Sequence, residues 1–283
     1  MRRLDVIEAQ GARLGASFDA PSPEEANETA ILFVVGGTQT RIGSHRMFAR
    51  LARQLADKGY PSLRYDRRGV GDSEGEDLGY ANARPDMAPA LAALRQESPR
   101  ARRVLGIGLC DGATALALHG GELGLDGAVL VNPWFVETVA GTPPPAAIRR
   151  RYRERLLSLS GWRDLLTGRI DYRKLLTGMK TMSRPGRSAL ADRVQDRLER
   201  GDLPVVAIFA HGDATAIAAR EIWESRAWKE LRARHPAPVL VASDAHTFSR
   251  LGDMEKLEQA VLEGIGRLTA HRAQRESEAE AEP

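Results

Sequence analysis

The chain has 283 residues, 42% of them hydrophobic and 28% charged, with a formal net charge of +3. This balance is that of an ordinary globular protein and excludes a disordered or fibrous chain; the length suits one α/β domain with an insertion, or two domains. A lone cysteine, Cys110, excludes an intrachain disulfide framework and fits a reducing compartment.

Arg2 and Arg3 are basic but no apolar run follows them, and no stretch reaches the length that crosses a bilayer. A cytoplasmic protein is expected, without stable membrane insertion. Val6 to Gln10 and Arg13 to Phe18, separated at Gly11, predict an antiparallel hairpin. Ala30 to Val35 is the first continuous apolar run and ends at Gly36-Gly37. Shorter β-rich runs follow at Leu63 to Tyr65, Val104 to Ile107, Ala128 to Val131, Val205 to Phe209 and Val239 to Ala242. Continuous runs of this length suit parallel strands buried on both faces. Between them, Phe48, Leu51, Ala52 and Leu55 form a helical face after Ser44, a candidate N-cap. Met254, Leu257, Val261, Ile265 and Leu268 form another near the end. Strands alternating with helices predict a doubly wound, mostly parallel sheet.

The alternation breaks between Trp134 and Asp202, where Pro143 to Pro145 open an Arg-rich interval with no strand-like run. From Arg149 to Arg200 the positive excess is about nine charges. The expected organisation is an α/β core over residues 1–134 and 203–272, a helical Arg-rich lid over 135–202, and a flexible acidic tail over 273–283. The basic interval is either a solvated helix surface or a surface for an anionic ligand.

Cys110 lies in Gly108-Leu109-Cys110-Asp111-Gly112-Ala113, between an apolar strand and a helical stretch. A G-x-C-x-G-A sequence in that place reads as a tight nucleophile turn, its glycines flanking the thiol where a Cβ would strike backbone. The alternative is a small buried hydrophobe. A helix N-terminus favours the thiolate. In such strand–turn–helix sites the acid follows a late strand and the histidine the last one. Asp213, after Val205 to Ala210, and His246, after Val239 to Ala242, fill those places. Their competitors are weaker. His119 is expected to pack behind the turn, His235 and His271 to lie at solvated positions, His211 to belong to the acid loop, and Asp244 to shape the histidine loop.

Two oxyanion donors are expected: the backbone N–H of Asp111, whose side chain should point away from the reaction centre, and that of Thr38. Gly37, Gln39, Arg41 and Trp134 are the candidate substrate contacts. Asp66 to Ser73 carries a DxRGxGxS pattern, but no G-K-[ST] follows, so a phosphate loop is not expected. A rigid loop stitched by Asp66, Arg68 and Ser73 is. No metal or cofactor is expected, because one cysteine and scattered histidines offer no ligand spacing.

On these motifs the chain resembles the α/β-hydrolase superfamily, and more narrowly the exosortase A system-associated hydrolase type 1 family. The narrower resemblance is carried by residues 36–60 (GGTQTRIGSHRMFARLARQLADKGY), 64–75 (RYDRRGVGDSEG), 108–113 (GLCDGA) and 244–250 (DAHTFSR), with a fainter likeness over Gly161 to Leu166. It implies an α/β-hydrolase fold with an N-terminal antiparallel hairpin and a helical lid, a Cys110–His246–Asp213 triad, and a bacterial protein of exopolysaccharide-type biosynthesis. Gly36-Gly37 departs from the His-Gly common in the superfamily.

A thiolate attacks well and leaves well. From a tetrahedral intermediate on an amide it competes with the amine for expulsion, so esters, thioesters and lactones are the expected substrates, as small molecules or linked to a glycan or carrier. The acyl group on Cys110 then passes to water in a hydrolase, or to a hydroxyl under a closed lid in an acyltransferase. A non-catalytic binding scaffold is the remaining alternative. No nucleic-acid partner is expected, and a homodimer is compatible with the chain.

Overall fold

In the computed structural model, which describes residues 1–136 and 188–281, a hairpin opens the sheet at one edge. β1 (Arg2–Ala9) and β2 (Ala12–Asp19) pair antiparallel from Arg2 opposite Asp19 to Ala9 opposite Ala12. Gln10 and Gly11 between them have φ of 45° and 84°, the left-handed pair that lets a two-residue turn match the twist of its strands. The hairpin starts at Arg2, earlier than Val6; the first half of β1 is exposed and carries no inside–outside alternation by which a sequence pattern could mark it.

The remaining strands are β3 (Thr29–Val34), β4 (Ser62–Tyr65), β5 (Arg103–Leu109), β6 (Gly127–Val131), β7 (Val205–Ala210) and β8 (Val239–Val241). The sheet order is β1-β2-β4-β3-β5-β6-β7-β8. β2 meets β4 antiparallel, and every pair from β4 to β8 is parallel. The result is the expected mostly parallel sheet with an antiparallel hairpin at its N-terminal edge. Each continuous apolar run of the sequence is one parallel strand, and β3, β6 and β7 bury nearly every side chain. Parallel strands point their C-terminal ends one way, so the loops after β3, β5, β7 and β8 converge on one edge.

The helices are α1 (Met47–Ala56), α2 (Arg84–Glu97), α3 (Asp111–His119), α4 (Ala189–Arg200), α5 (Ala214–Trp223), α6 (Lys229–Ala233) and α7 (Asp253–Ala281). α1 buries Phe48, Leu51, Ala52 and Leu55 as expected, but Ser44 does not cap it. Ser44 to Arg46 form a 3-10 turn, and Arg46, at φ 66°, stands at the N-cap. Two prolines, Pro85 near its start and Pro89 inside it, hide α2 from a propensity reading.

Both ends of the interval 135–202 belong to the core rather than to a lid. Phe135 is buried, its ring centroid 5.3 Å from that of Trp228. α4 buries Leu190, Ala191, Val194 and Leu198 and packs on α3. The rest of that interval, 137–187, lies outside the described residues, with most of the Arg-rich stretch and Gly161 to Leu166. Residues 273–281, expected to be a flexible tail, continue α7 as helix. Glutamate and alanine favour helix, and Arg272–Glu276 at 2.7 Å and Gln274–Glu278 at 2.9 Å pair side chains one turn apart.

Candidate active site

β5 ends at Leu109 and α3 begins at Asp111, leaving Cys110 alone in the turn with φ 59° and ψ −124°. A side chain pays about 1–3 kcal/mol to sit in so sparsely populated a region, so the surroundings must impose it. They do so through the backbone. The Cys110 N–H donates to the Val131 carbonyl at 3.0 Å, and its own carbonyl accepts from Trp134 N at 3.1 Å and Thr114 N at 3.2 Å. The flanking glycines are required by contact. A Cβ on Gly108 would stand 2.7 Å from Ala113 N, and one on Gly112 would strike the Val34 carbonyl at the end of β3. The thiol is partly exposed at a helix N-terminus.

Asp213 leaves β7 and caps α5, where its Oδ2 accepts from Ala216 N at 2.9 Å. The same oxygen lies 2.9 Å from Nδ1 of His246, on the loop after β8, and the imidazole stands beside Cys110. Burial pushes this imidazole down from its ordinary 6.5; its contacts with Asp213 and Cys110, and the charge of both, outweigh it and push the group up to about 10. Asp213 and Cys110 together thus favour the protonated ring. The three residues singled out from three separate strand ends meet at one place.

The histidine loop is held by groups that the motif reading overlooked. Buried Asn132, just after β6 and at φ 40°, donates from its amide to the His246 carbonyl at 2.9 Å and accepts from Ala210 N at 2.8 Å. It joins the acid strand to the histidine loop. An asparagine directly after a buried strand, able to take a left-handed conformation, was the available signal. Ser243 Oγ accepts from Ala245 N at 3.1 Å and donates to Asp253 at 2.6 Å. His45 Nε2 lies 2.7 Å from the Thr247 carbonyl.

The remaining candidates are distributed as follows. Gly37 and Thr38 are exposed beside the turn. The Asp111 side chain accepts the Gly37 N–H and lies 3.7 Å from Arg67. Its carboxylate can do this because Gly36, pressed against it, has no Cβ. Gln39 Oε1 accepts from Ser44 N at 2.9 Å. Arg41 offers no free charge to a substrate, its guanidinium being tied to Asp66, to Asp72 at 2.9 Å and to Ser17 at 3.1 Å. Trp134 sits partly buried next to the turn, its carbonyl accepting from Thr114 Oγ1 at 2.6 Å.

The DxRGxGxS loop is stitched as expected. Asp66 accepts from Arg41 and Asp72 N, Ser73 Oγ donates to the Asp66 carbonyl at 2.8 Å, and Arg68 pairs with Asp86 at 2.6 Å. Arg67, not singled out by the motif, is its link to the turn, bonding the Gly37 carbonyl and Asp77.

Among the competing groups, His119 Nε2 packs 3.1 Å from the Ala81 carbonyl. His211 lies exposed just beyond β7, and Asp244 pairs with Arg250. His235 and His271 are half-buried rather than fully solvated. Both line a cavity of about 470 Å³ with Leu203 and Pro204, at the N-terminal ends of the strands, and each Nε2 is buried without a hydrogen-bond partner. Connecting segments and a helix end were read as exposed there, but Trp223 packs on His235 with centroids 6.2 Å apart. Among the described residues no three His, Cys, Asp or Glu side chains group to hold a metal ion, and no helix is long and apolar enough to cross a membrane.

Comparison with known proteins bears on this geometry. The model of the alpha/beta hydrolase family matches residues 31–277. No curated protein matches the chain. An esterase from Pyrococcus furiosus superposes with a TM-score of 0.62 at 17% identity, over 94% of this chain and 91% of that one. An α/β serine hydrolase without a lid from Xanthomonas campestris gives 0.58 at 16% identity, over 94% of each chain. A thermophilic esterase from Thermogutta terrifontis gives 0.55 at 18% identity, over 94% of this chain and 99% of that one. At these identities the likeness is one of fold.

Proposed function

The chain belongs to the alpha/beta hydrolase family, and from that premise we propose that it hydrolyses activated acyl compounds (esters, thioesters or lactones) through an acyl intermediate on Cys110. One observation carries the reading: His246, hydrogen-bonded to Asp213, stands beside Cys110 at a strained turn that presents the thiol.

The thiolate attacks the carbonyl carbon, and the carbonyl π pair moves to oxygen. The backbone N–H groups of Asp111 and Thr38 receive that oxyanion. Collapse expels the leaving group, which takes its proton from the His246 imidazolium. Once Cys110 is acylated its negative charge is gone, and with it part of what held the His246 pKa up. The imidazole then acts as base: it takes a proton from water as the oxygen attacks the acyl carbon, and the second collapse returns the thiolate and releases the acid. Asp213 orients the ring.

Thiolate departure disfavours amides, so the reading is restricted to carbonyls with better leaving groups. The resemblance of four segments to the exosortase-associated hydrolases, together with the Arg-rich interval, leads us to place the substrate among anionic acyl compounds of exopolysaccharide-type biosynthesis. A panel of aryl esters, lactones and acyl thioesters, with intact-mass detection of the acylated protein, tests the proposal. Turnover by the wild type, one acyl adduct on Cys110 and loss of both in Cys110→Ala are expected. Equal turnover by Cys110→Ala would refute it. Product esters appearing when alcohols are added would reassign the chain as an acyltransferase.

A further inference from the structure

Both ends of one backbone unit beside the nucleophile are gripped by side chains. The Gly37 N–H donates to Asp111 Oδ1, and the Gly37 carbonyl accepts from Arg67 Nη2. The grips belong to one assembly. Arg67 Nη1 lies 3.7 Å from Asp111 Oδ2, and Arg67 Nη2 bonds Asp77 at 3.0 Å. Arg67 is buried, so its charge is directed by these partners rather than by water. Gly37 and Thr38 are exposed, and among the described residues the Thr38 N–H has no acceptor. A trans peptide is planar, and its C=O and following N–H point in opposite directions. Fixing the Gly37 oxygen toward Arg67 therefore fixes the direction of the Thr38 N–H away from it.

We propose that Asp111 and Arg67 are positioning residues that clamp Gly37 from both sides, Asp111 holding the Gly36–Gly37 peptide by its N–H and Arg67 the Gly37–Thr38 peptide by its carbonyl, so that the Thr38 N–H is preset for the oxyanion formed at Cys110. The inference rests on the hydrolytic reading above and adds to it how the donors are held. Asp111 serves twice. Its backbone N–H, at the start of α3, is one donor, and its carboxylate, across the gap, locks the loop bearing the other. The nucleophile turn and the loop after β3 thus move as one body, which explains the contact of Gly36 with the Asp111 carboxylate and of Gly112 with the end of β3. Donors that need no rearrangement during the reaction are worth most there.

Two reactions of the same thiol separate this role from ordinary stitching of the fold. Alkylation by iodoacetamide displaces iodide and forms no oxyanion; acylation by a 4-nitrophenyl ester forms one. Asp111→Ala should slow acylation by about 10²-fold or more, the cost of losing one donor, while alkylation keeps its wild-type rate. Asp111→Asn, which retains an oxygen for the Gly37 N–H, should recover most of the acylation. Arg67→Lys, which keeps the charge but cannot reach Gly37, Asp77 and Asp111 together, should slow acylation alone and serves if Asp111→Ala does not fold. Acylation at the wild-type rate in Asp111→Ala and Arg67→Lys overturns this inference only, as does an equal fall of both reactions in either variant. A wild type that no ester acylates overturns the hydrolytic reading and this inference with it. Amide exchange gives a further check: the Gly37 N–H should be protected despite its exposure, and free exchange there refutes the clamp.

Discussion

Two histidines at opposite ends of the strands are shifted in opposite directions. His246, at the C-terminal ends of β7 and β8, and His235, at their N-terminal ends, are both largely withdrawn from water, and burial pushes both imidazoles down. At His246 the carboxylate of Asp213 and the sulfur of Cys110 reverse the effect and carry the group up to about 10. At His235 the neighbours are Arg234, His271 and Arg275, and the group falls to about 4. Burial alone therefore does not mark a working histidine. The sign of its neighbours does, and those neighbours come from remote strand ends.

The largest expected effect comes from removing the sign at the catalytic edge. Asp213→Asn keeps an acceptor for the α5 cap but loses the charge. Turnover should fall about 10⁴-fold, and the His246 resonance in an NMR titration should move well below 10. Unchanged titration would mean that the carboxylate does not hold this imidazole.

A smaller effect is expected from the frame. Asn132→Ala leaves the Ala210 N–H and the His246 carbonyl without their partner, and urea unfolding should show a loss of about 2–4 kcal/mol. A loss under half a kcal/mol would place the histidine loop's support elsewhere.

The pH dependence of stability sharpens the contrast further. His246 has a folded pKa above its unfolded 6.5, so its contribution is complete below pH 6.5 and is lost as pH rises toward about 10. His235 has a folded pKa below 6.5, so the unfolded chain binds the proton first and stability is lost as pH falls from 6.5 toward about 4. His246→Gln should flatten the alkaline side of the stability profile, and His235→Gln the acid side. Thermal melts across pH check both, and a variant that flattens the opposite limb would reverse the assignment.

The smallest effect belongs to the end of α7. Glu276→Ala breaks an exposed pair with Arg272 and should cost about 0.3–0.5 kcal/mol. A cost above 1 kcal/mol would make that helical end a structural support rather than an extension.

The same contrast explains what was legible in the sequence. β3 and β5 to β7 could be read because strands buried on both faces must be apolar throughout; Cys110 and Asp213 each follow such a run, and His246 follows the short apolar run of β8, whose Leu240 is exposed. α2 could not, since Pro85 and Pro89 disguise a helix secured by packing. Nor could the Asp111 side chain, whose direction depends on Gly36 arriving from another strand, or Arg67, whose partners are 10 to 44 positions away. His235 looked solvated because its cover, Trp223 and α7, is distant or generic in sequence. Local patterns encode elements; the polar groups that brace a site are set by where loops meet.

The most direct test of the account is the rate at which iodoacetamide alkylates Cys110 at pH 7 in the wild type and in His246→Ala. A thiolate paired with an imidazolium should react faster than a free thiol, and removing the ring should slow it. The same rate in both proteins, or a thiol that does not react at all, would contradict the central claim that His246 activates Cys110.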